Sequence, residues 1–331
     1  MNRGKTVSEG SKGGWRAWAQ LVRLPNVFTV IADVAAAYLL LSHGPAPVER
    51  FVLIILAGVA LYWAGMILND LFDYGRDTEE QPSRPLPSGA ISLGAAQTSG
   101  FGLLGLGVLL AAGAGYVGEG ATTTWLPAVV AIALALAIVA YDGPLKKTPL
   151  GPALMGACRF LSFMLGASAA IELSDGTPQI PKYVLGVAFG FAVYVMGVTH
   201  FARDESSVDE SVRDNPINLR IGTLFMLMGV LLLAFAPGLA TKAELAGFVM
   251  VPGPQFAVLI GLIALPVIVR VIRAQRKPSP SARGLAIRNA LLSIIPFAAA
   301  YALLGAGPKW GLIIFALVAP AISLAMRLRV T

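Results

Sequence analysis

Apolar stretches of about 20 residues, the length that crosses a bilayer as a helix, recur near 26–42, 51–69, 98–117, 123–141, 152–171, 183–202, 220–239, 253–270, 286–305 and 309–326. Lipid satisfies no backbone N–H or C=O, so each stretch must close its hydrogen bonds within itself as a helix. The runs are also too long for the strands of a membrane barrel. Only 13% of the 331 residues are charged and 56% are apolar, against roughly 25% charged in a soluble domain. Mean hydropathy is +0.73. Such a chain is neither disordered nor collagen-like, and its one cysteine, Cys158, cannot close an intrachain disulfide. The expected fold is all-α, a polytopic transmembrane helix bundle of about ten spans. Its 36 glycines suit that fold, because small residues let such helices approach closely.

Topology, rather than a nucleic-acid partner, accounts for the formal net charge of +7. With alternating spans, Arg50, Lys182, Lys242 and Lys309 fall on one side and the remaining 21 Lys and Arg residues on the other. This bias places both termini and the long basic loops in the cytoplasm, as expected for a multi-pass protein of a bacterial inner (plasma) membrane. Residues 1–22 read as a cytosolic lead-in with an interfacial helix around Trp15 and Trp18, and 23–331 as the membrane domain. The first apolar stretch is similar to a signal-peptide core, but the long basic region before it and the spans after it argue for its retention. The one weak repeat is that spans two and six both run towards the cytoplasm and end in acidic clusters.

The first cluster is Asn69-Asp70-Leu71-Phe72-Asp73-Tyr74-Gly75-Arg76-Asp77. At 100° per residue, Asp70, Asp73 and Asp77 lie within about 60° of one another on one helix face. Close like charges need something positive among them. Mg²⁺ suits, being a hard ion that takes oxygen ligands and shares its shell with substrate phosphates. A solvated acidic loop is the plainer alternative, although carboxylates at membrane depth are costly and usually functional. The stretch 81–92 that follows is a rigid proline-rich turn. Its Arg84 is either a plain loop arginine or one that forks onto a phosphate.

The run NDLFDYGRDTEEQPSRPLPSGAIS at 69–92 resembles the first signature of the UbiA-type intramembrane prenyltransferases, in which NDxxDxxxD precedes a basic residue and a PxPSG turn. Tyr141-Asp142-Gly143-Pro144-Leu145-Lys146-Lys147-Thr148 is similar to the family's tyrosine-then-lysine loop. Arg23-Leu24-Pro25-Asn26 resembles its N-terminal signature, whose asparagine faces the active site. The resemblance covers roughly 20–305 and implies a nine-span core plus one C-terminal helix. The loop TPLGPALMGACR and the acidic run beginning RDE resemble an EboC-like bacterial branch.

The second cluster, Arg203-Asp204-Glu205-Ser206-Ser207-Val208-Asp209-Glu210, departs from the family's DxxxD pattern. If span six continues as a helix, Glu205 and Asp209 are about 40° apart and pair, whereas Asp204 and Asp209 are about 140° apart. If the helix ends near Arg203, Asp204 and Asp209 can aim at one point. The resemblance implies Mg²⁺ held by Asp70, Asp73, Asp77, Asp204 and Asp209, with Glu205 in reserve. It implies substrate binding by Asn26, Asn69, Arg84, Tyr141, Lys146 and Arg203. Outside these motifs, Asp33 is either functional or a tolerated interfacial acid, and His200 either orients Asp204 or packs. His43 lies in an outer loop without a chemical role, and Cys158 is a small packing residue.

The implied activity is Mg²⁺-dependent transfer of a prenyl group from an isoprenoid diphosphate to a hydrophobic or aromatic acceptor. Metal and cations stabilise charge on the leaving diphosphate, and a cavity between helices keeps water from the allylic cation. Two other classes compete. A CDP-alcohol phosphotransferase also spaces aspartates, but with a glycine and alanine pattern absent here. A transporter would carry paired broken helices and charges along a path, whereas these charges gather at one end.

Overall fold

The computed structural model describes residues 10–119, 122–203, 216–277 and 279–328. Within these, α1 (Gly10–Leu21) leads into α2 (Val27–Ser42), α3 (Val48–Phe72), α4 (Tyr74–Glu80), α5 (Leu93–Ala114), α6 (Leu126–Ala140) and α7 (Gly151–Ser168). A two-stranded hairpin, β1 (Leu173–Ser174) and β2 (Thr177–Pro178), turns through Asp175 and Gly176, both at positive φ, the conformation such a tight turn requires. It precedes α8 (Lys182–Ala202), α9 (Pro216–Phe235), the single turn α10 (Lys242–Leu245) and α11 (Pro254–Arg276). The chain continues through α12 (Pro280–Leu292), α13 (Ile294–Ala306), α14 (Pro308–Ala316) and α15 (Val318–Leu328).

Prolines set the interruptions. Pro144, Pro296 and Pro320 each lack the N–H that would bond the carbonyl four residues earlier. The helices end at Ala140, where a π turn over Tyr141–Leu145 takes over, and break at Ser293 and Leu317. The expected spans at 286–305 and 309–326 are therefore each two short helices in line.

Nine helices among the described residues are long and apolar enough to cross a membrane. The fifth expected span, 152–171, is helical as α7 but is not one of them. Arg159 lies in its middle among glycines and serines. Packing of α7 against α2, α6 and α8 lets it carry that composition inside the bundle. Its 18 residues span about 27 Å at 1.5 Å per residue.

Helix α2 is the axis of the bundle, with residues 34–40 no more than 1% exposed. A helix apolar on all sides belongs in an interior. Glycines bring its two main neighbours into backbone contact. A Cβ on Gly166 of α7 would lie 2.1 Å from the Val34 carbonyl oxygen, and one on Gly305 of α13 2.5 Å from Leu40 Cα. The α8–α9 pair is equally close, with Gly197 and Gly222 each abutting the other's backbone.

At the end of the bundle away from the acidic cluster, Arg50 is 5% exposed and donates to the carbonyls of Val117, Ala169, Gly115 and Thr122 at 3.0–3.4 Å. These bonds tie α3 to the loops after α5 and α7. His43 lies at the same end, its Nδ1 3.1 Å from the Gly305 carbonyl oxygen.

Candidate active site

The expected first cluster forms at the C-terminal end of α3. Backbone bonds carry the helix across the break at Asp73, from Asp73 N to Asn69 O and from Asp77 N to Asp73 O, at 3.1 and 2.9 Å. The three aspartates therefore stay in near-helical register, at 1–6% exposure. Cations link them. Asp70 and Asp77 share Arg84, whose Nη1 donates to Asp77 Oδ2 and lies 3.8 Å from Asp70 Oδ1. Asp73 accepts from Lys146 Nζ and pairs at 3.1 Å with Arg76, whose Nη2 also lies 3.9 Å from Asp77 Oδ1.

Arg84 is delivered by the proline-rich turn, which closes through Ser88 N to Arg84 O at 3.0 Å and Ile91 N to Pro85 O at 3.1 Å. Leu86 and Ile91 of that turn are buried with Ala17 and Leu21 of α1 and with Ile67 and Ala96. The lead-in helix thus supports the turn that positions Arg84, with Trp18 packed on the same cluster.

The N-terminal signature contributes in an unexpected way. Asn26 is half-buried at the start of α2 and its carbonyl accepts from Thr29 Oγ1 at 2.8 Å, while its side chain makes no hydrogen bond to the cluster. The residue that reaches the cluster is Arg23, whose Nη2 lies 3.4 Å from Asp70 Oδ1. Its backbone is left-handed, with φ 45° and ψ 54°. That conformation is uncommon for a residue with a side chain and concentrates at functional sites.

Asp142, which motif reading passed over, lies beside the cluster. It is 5% exposed and accepts a 2.7 Å hydrogen bond from Asn69 Nδ2. The available signal was a carboxylate inside an apolar span, costly unless it has a use. The π turn over Tyr141–Leu145 sets Asp142 beside Asn69 and brings Lys146 to Asp73. Phe72, Asp73, Asp142, Gly143, Pro144, Lys146 and Lys147 line a polar recess. Beneath it an apolar cavity of about 110 Å³ opens between α2, α3, α6 and α7, lined among others by Val30, Gly58, Leu61, Gly65, Leu134, Ile138, Tyr141, Asp142 and Cys158. Deeper in the bundle, Asp33 is fully buried and paired with Arg159 at 2.5 Å, with Ser162 Oγ donating at 3.2 Å. It is therefore not an interfacial acid.

The first cluster has the donors a hard cation needs. Arg84 already fills the space between Asp70 and Asp77 as a positive group. Asp77 Oδ1 is buried with no hydrogen-bond partner, a state that commonly marks a missing ion or donor. Even so, no three Asp, Glu, His or Cys side chains among the described residues converge closely enough to enclose an ion alone. Further ligands would have to come from elsewhere. Asp204, Glu205 and Asp209 lie outside the described residues. Helix α8 ends at Ala202 with Arg203 exposed just beyond it, and the ring of His200 stands edge-on to Phe225.

A helical membrane bundle with a carboxylate and cation cluster at one end, opening onto an apolar cavity, is the architecture of an enzyme for amphiphilic anionic substrates. The UbiA prenyltransferase family model matches residues 30–287. The chain belongs to that family and is a prenyltransferase. The digeranylgeranylglyceryl phosphate synthase of Methanobrevibacter smithii is 30% identical over 208 residues, 60% of this chain and 68% of that protein. The enzyme of the same name from Metallosphaera sedula is 32% identical over 129 residues, 39% of this chain and 42% of the relative. The fold is also that of a UbiA homologue from Archaeoglobus fulgidus solved with GPP and Mg²⁺, with TM-score 0.58, 15% identity, and 91% and 99% of the two chains covered.

Proposed function

We propose that this protein transfers a prenyl group from an isoprenoid diphosphate to the hydroxyl of a glycerophosphate acceptor, with Mg²⁺ as cofactor. The observation that carries the reading is the junction of the polar recess with the apolar cavity at Asp142, which matches a substrate with a charged head and an apolar tail. The name of the archaeal relatives supports a glycerophosphate acceptor over an aromatic one. The structure of a homologue with GPP and Mg²⁺ supports the donor and the metal.

In this reading Asp70, Asp73 and Asp77 hold the metal, and Asp204 and Asp209 complete its shell. Bound there, the cation supplies charge neutralisation for the departing diphosphate. Arg84, Lys146 and Arg23 exchange their carboxylate partners for diphosphate oxygens, Arg84 by a forked contact. Asn69 fixes Asp142, and Tyr141 with the aliphatic lining of the cavity receives the tail and keeps water from the allylic carbon. The test incubates purified protein with labelled geranylgeranyl diphosphate, Mg²⁺ and either geranylgeranylglyceryl phosphate or 4-hydroxybenzoate. The labelled ether lipid is expected, and label on the aromatic acid alone would refute the acceptor assignment.

The cluster end is proposed to face the cytoplasm, on the division of basic residues. A reporter fused after the last residue is expected to be active on the cytoplasmic side. Exterior activity would reverse the orientation.

A further inference from the structure

Asp142 belongs to two compartments at once. It lines the recess beside Asp73 and Lys146, and it is the one acid among the described residues lining the apolar cavity. A diphosphate seated on the cluster with its tail in the cavity places the allylic carbon, which joins the two, at their boundary beside Asp142. The other carboxylates there are committed to cations. Asp70 lies within 3.8 Å of Arg23 and Arg84, Asp77 bonds Arg84, and Asp73 bonds Lys146. Asp142 forms no ion pair with a described residue. Asn69 anchors its Oδ1, and its Oδ2 takes no hydrogen bond from any described residue.

Resting on the reading above, we infer that Asp142 is a catalytic residue that receives the proton of the acceptor hydroxyl. As the bond between the allylic carbon and the diphosphate oxygen breaks, its electron pair leaves with the diphosphate. The acceptor oxygen forms the new carbon–oxygen bond, and its proton passes to Asp142 Oδ2 and then to solvent. Ion-paired carboxylates are poor receivers of a proton because protonation forfeits the pair. The free oxygen of Asp142 has no such penalty, and the hydrogen bond from Asn69 holds it in place.

The test is Asp142→Asn, in purified full-length protein with labelled geranylgeranyl diphosphate, geranylgeranylglyceryl phosphate and Mg²⁺. Diphosphate release and ether formation are measured separately. Asparagine keeps the shape and can still accept from Asn69, and an unchanged unfolding temperature checks the fold. Loss of a general base typically lowers the rate by about 10²–10⁴, so ether formation is expected to fall at least about 100-fold. Diphosphate release continues, prenyl alcohol accumulates by water capture, and KM for the prenyl diphosphate is unchanged. Asp142→Glu, which keeps a carboxylate, restores part of the transfer. Equal loss of release and transfer, equal loss in the Asn and Glu variants, or full transfer by Asp142→Asn each overturns the inference. A wild-type protein that releases no diphosphate overturns the proposed function itself, and this inference with it.

Discussion

Asp73→Asn protein is expected to fold normally and to lose prenyl transfer by on the order of 10²–10³, the range typical for removing one group that stabilises transition-state charge. Asparagine preserves the shape of Asp73 but removes the charge that Lys146 and Arg76 now balance. Those two cations are 21% and 37% exposed along their side chains, so water can solvate them and the fold survives. Asp70→Asn should act similarly, since its carboxylate is shared between Arg23 and Arg84. Turnover in Mg²⁺, with and without EDTA, is the measurement. Full activity in EDTA, or in Asp73→Asn, would remove the aspartate cluster from the chemistry.

The largest stability effect is expected at Asp33, far from the motifs. Asp33 is 0% exposed, and its partner Arg159 is 12% exposed along its side chain. Asp33→Ala leaves a guanidinium uncompensated inside the bundle, where breaking a buried pair costs about 3–5 kcal/mol. Replacing both partners by apolar residues of similar volume is often neutral, so Asp33→Leu with Arg159→Met should recover most of the unfolding temperature lost in Asp33→Ala. The comparison is a thermal unfolding series in detergent. A single variant as stable as the wild type, or a double variant no better than the single, would show that the pair does not hold α2 to α7.

The aspartate cluster was legible because its spacing is local. Three residues separated by three and four positions must share a helix face, and α3 with α4 obliges despite the break at Asp73. Arg84 was legible through the proline-rich turn beside it. Arg23 was not: its approach to Asp70 depends on a left-handed backbone and on a pairing across 47 positions. Asp142 sat within a quoted motif but drew no notice, because only the π turn over Tyr141–Leu145 brings it between two compartments. The partner of Asp33 lies 126 positions away on α7, beyond any periodicity.

The sequence by itself determined that this chain is a helical membrane bundle with an anion-handling end. Spans, helix breaks and same-face carboxylates all follow from rules that reach only a turn or two along the chain. The tertiary structure alone decided which cation meets which aspartate, that the lead-in helix props up the turn of Arg84, and that Asp142 stands where polar recess and apolar cavity meet. Those relations depend on how α3 meets the π turn after α6, where Asn69 bonds Asp142, and on how α1 packs under the turn that carries Arg84. These are contacts between residues remote in sequence, which no local pattern encodes.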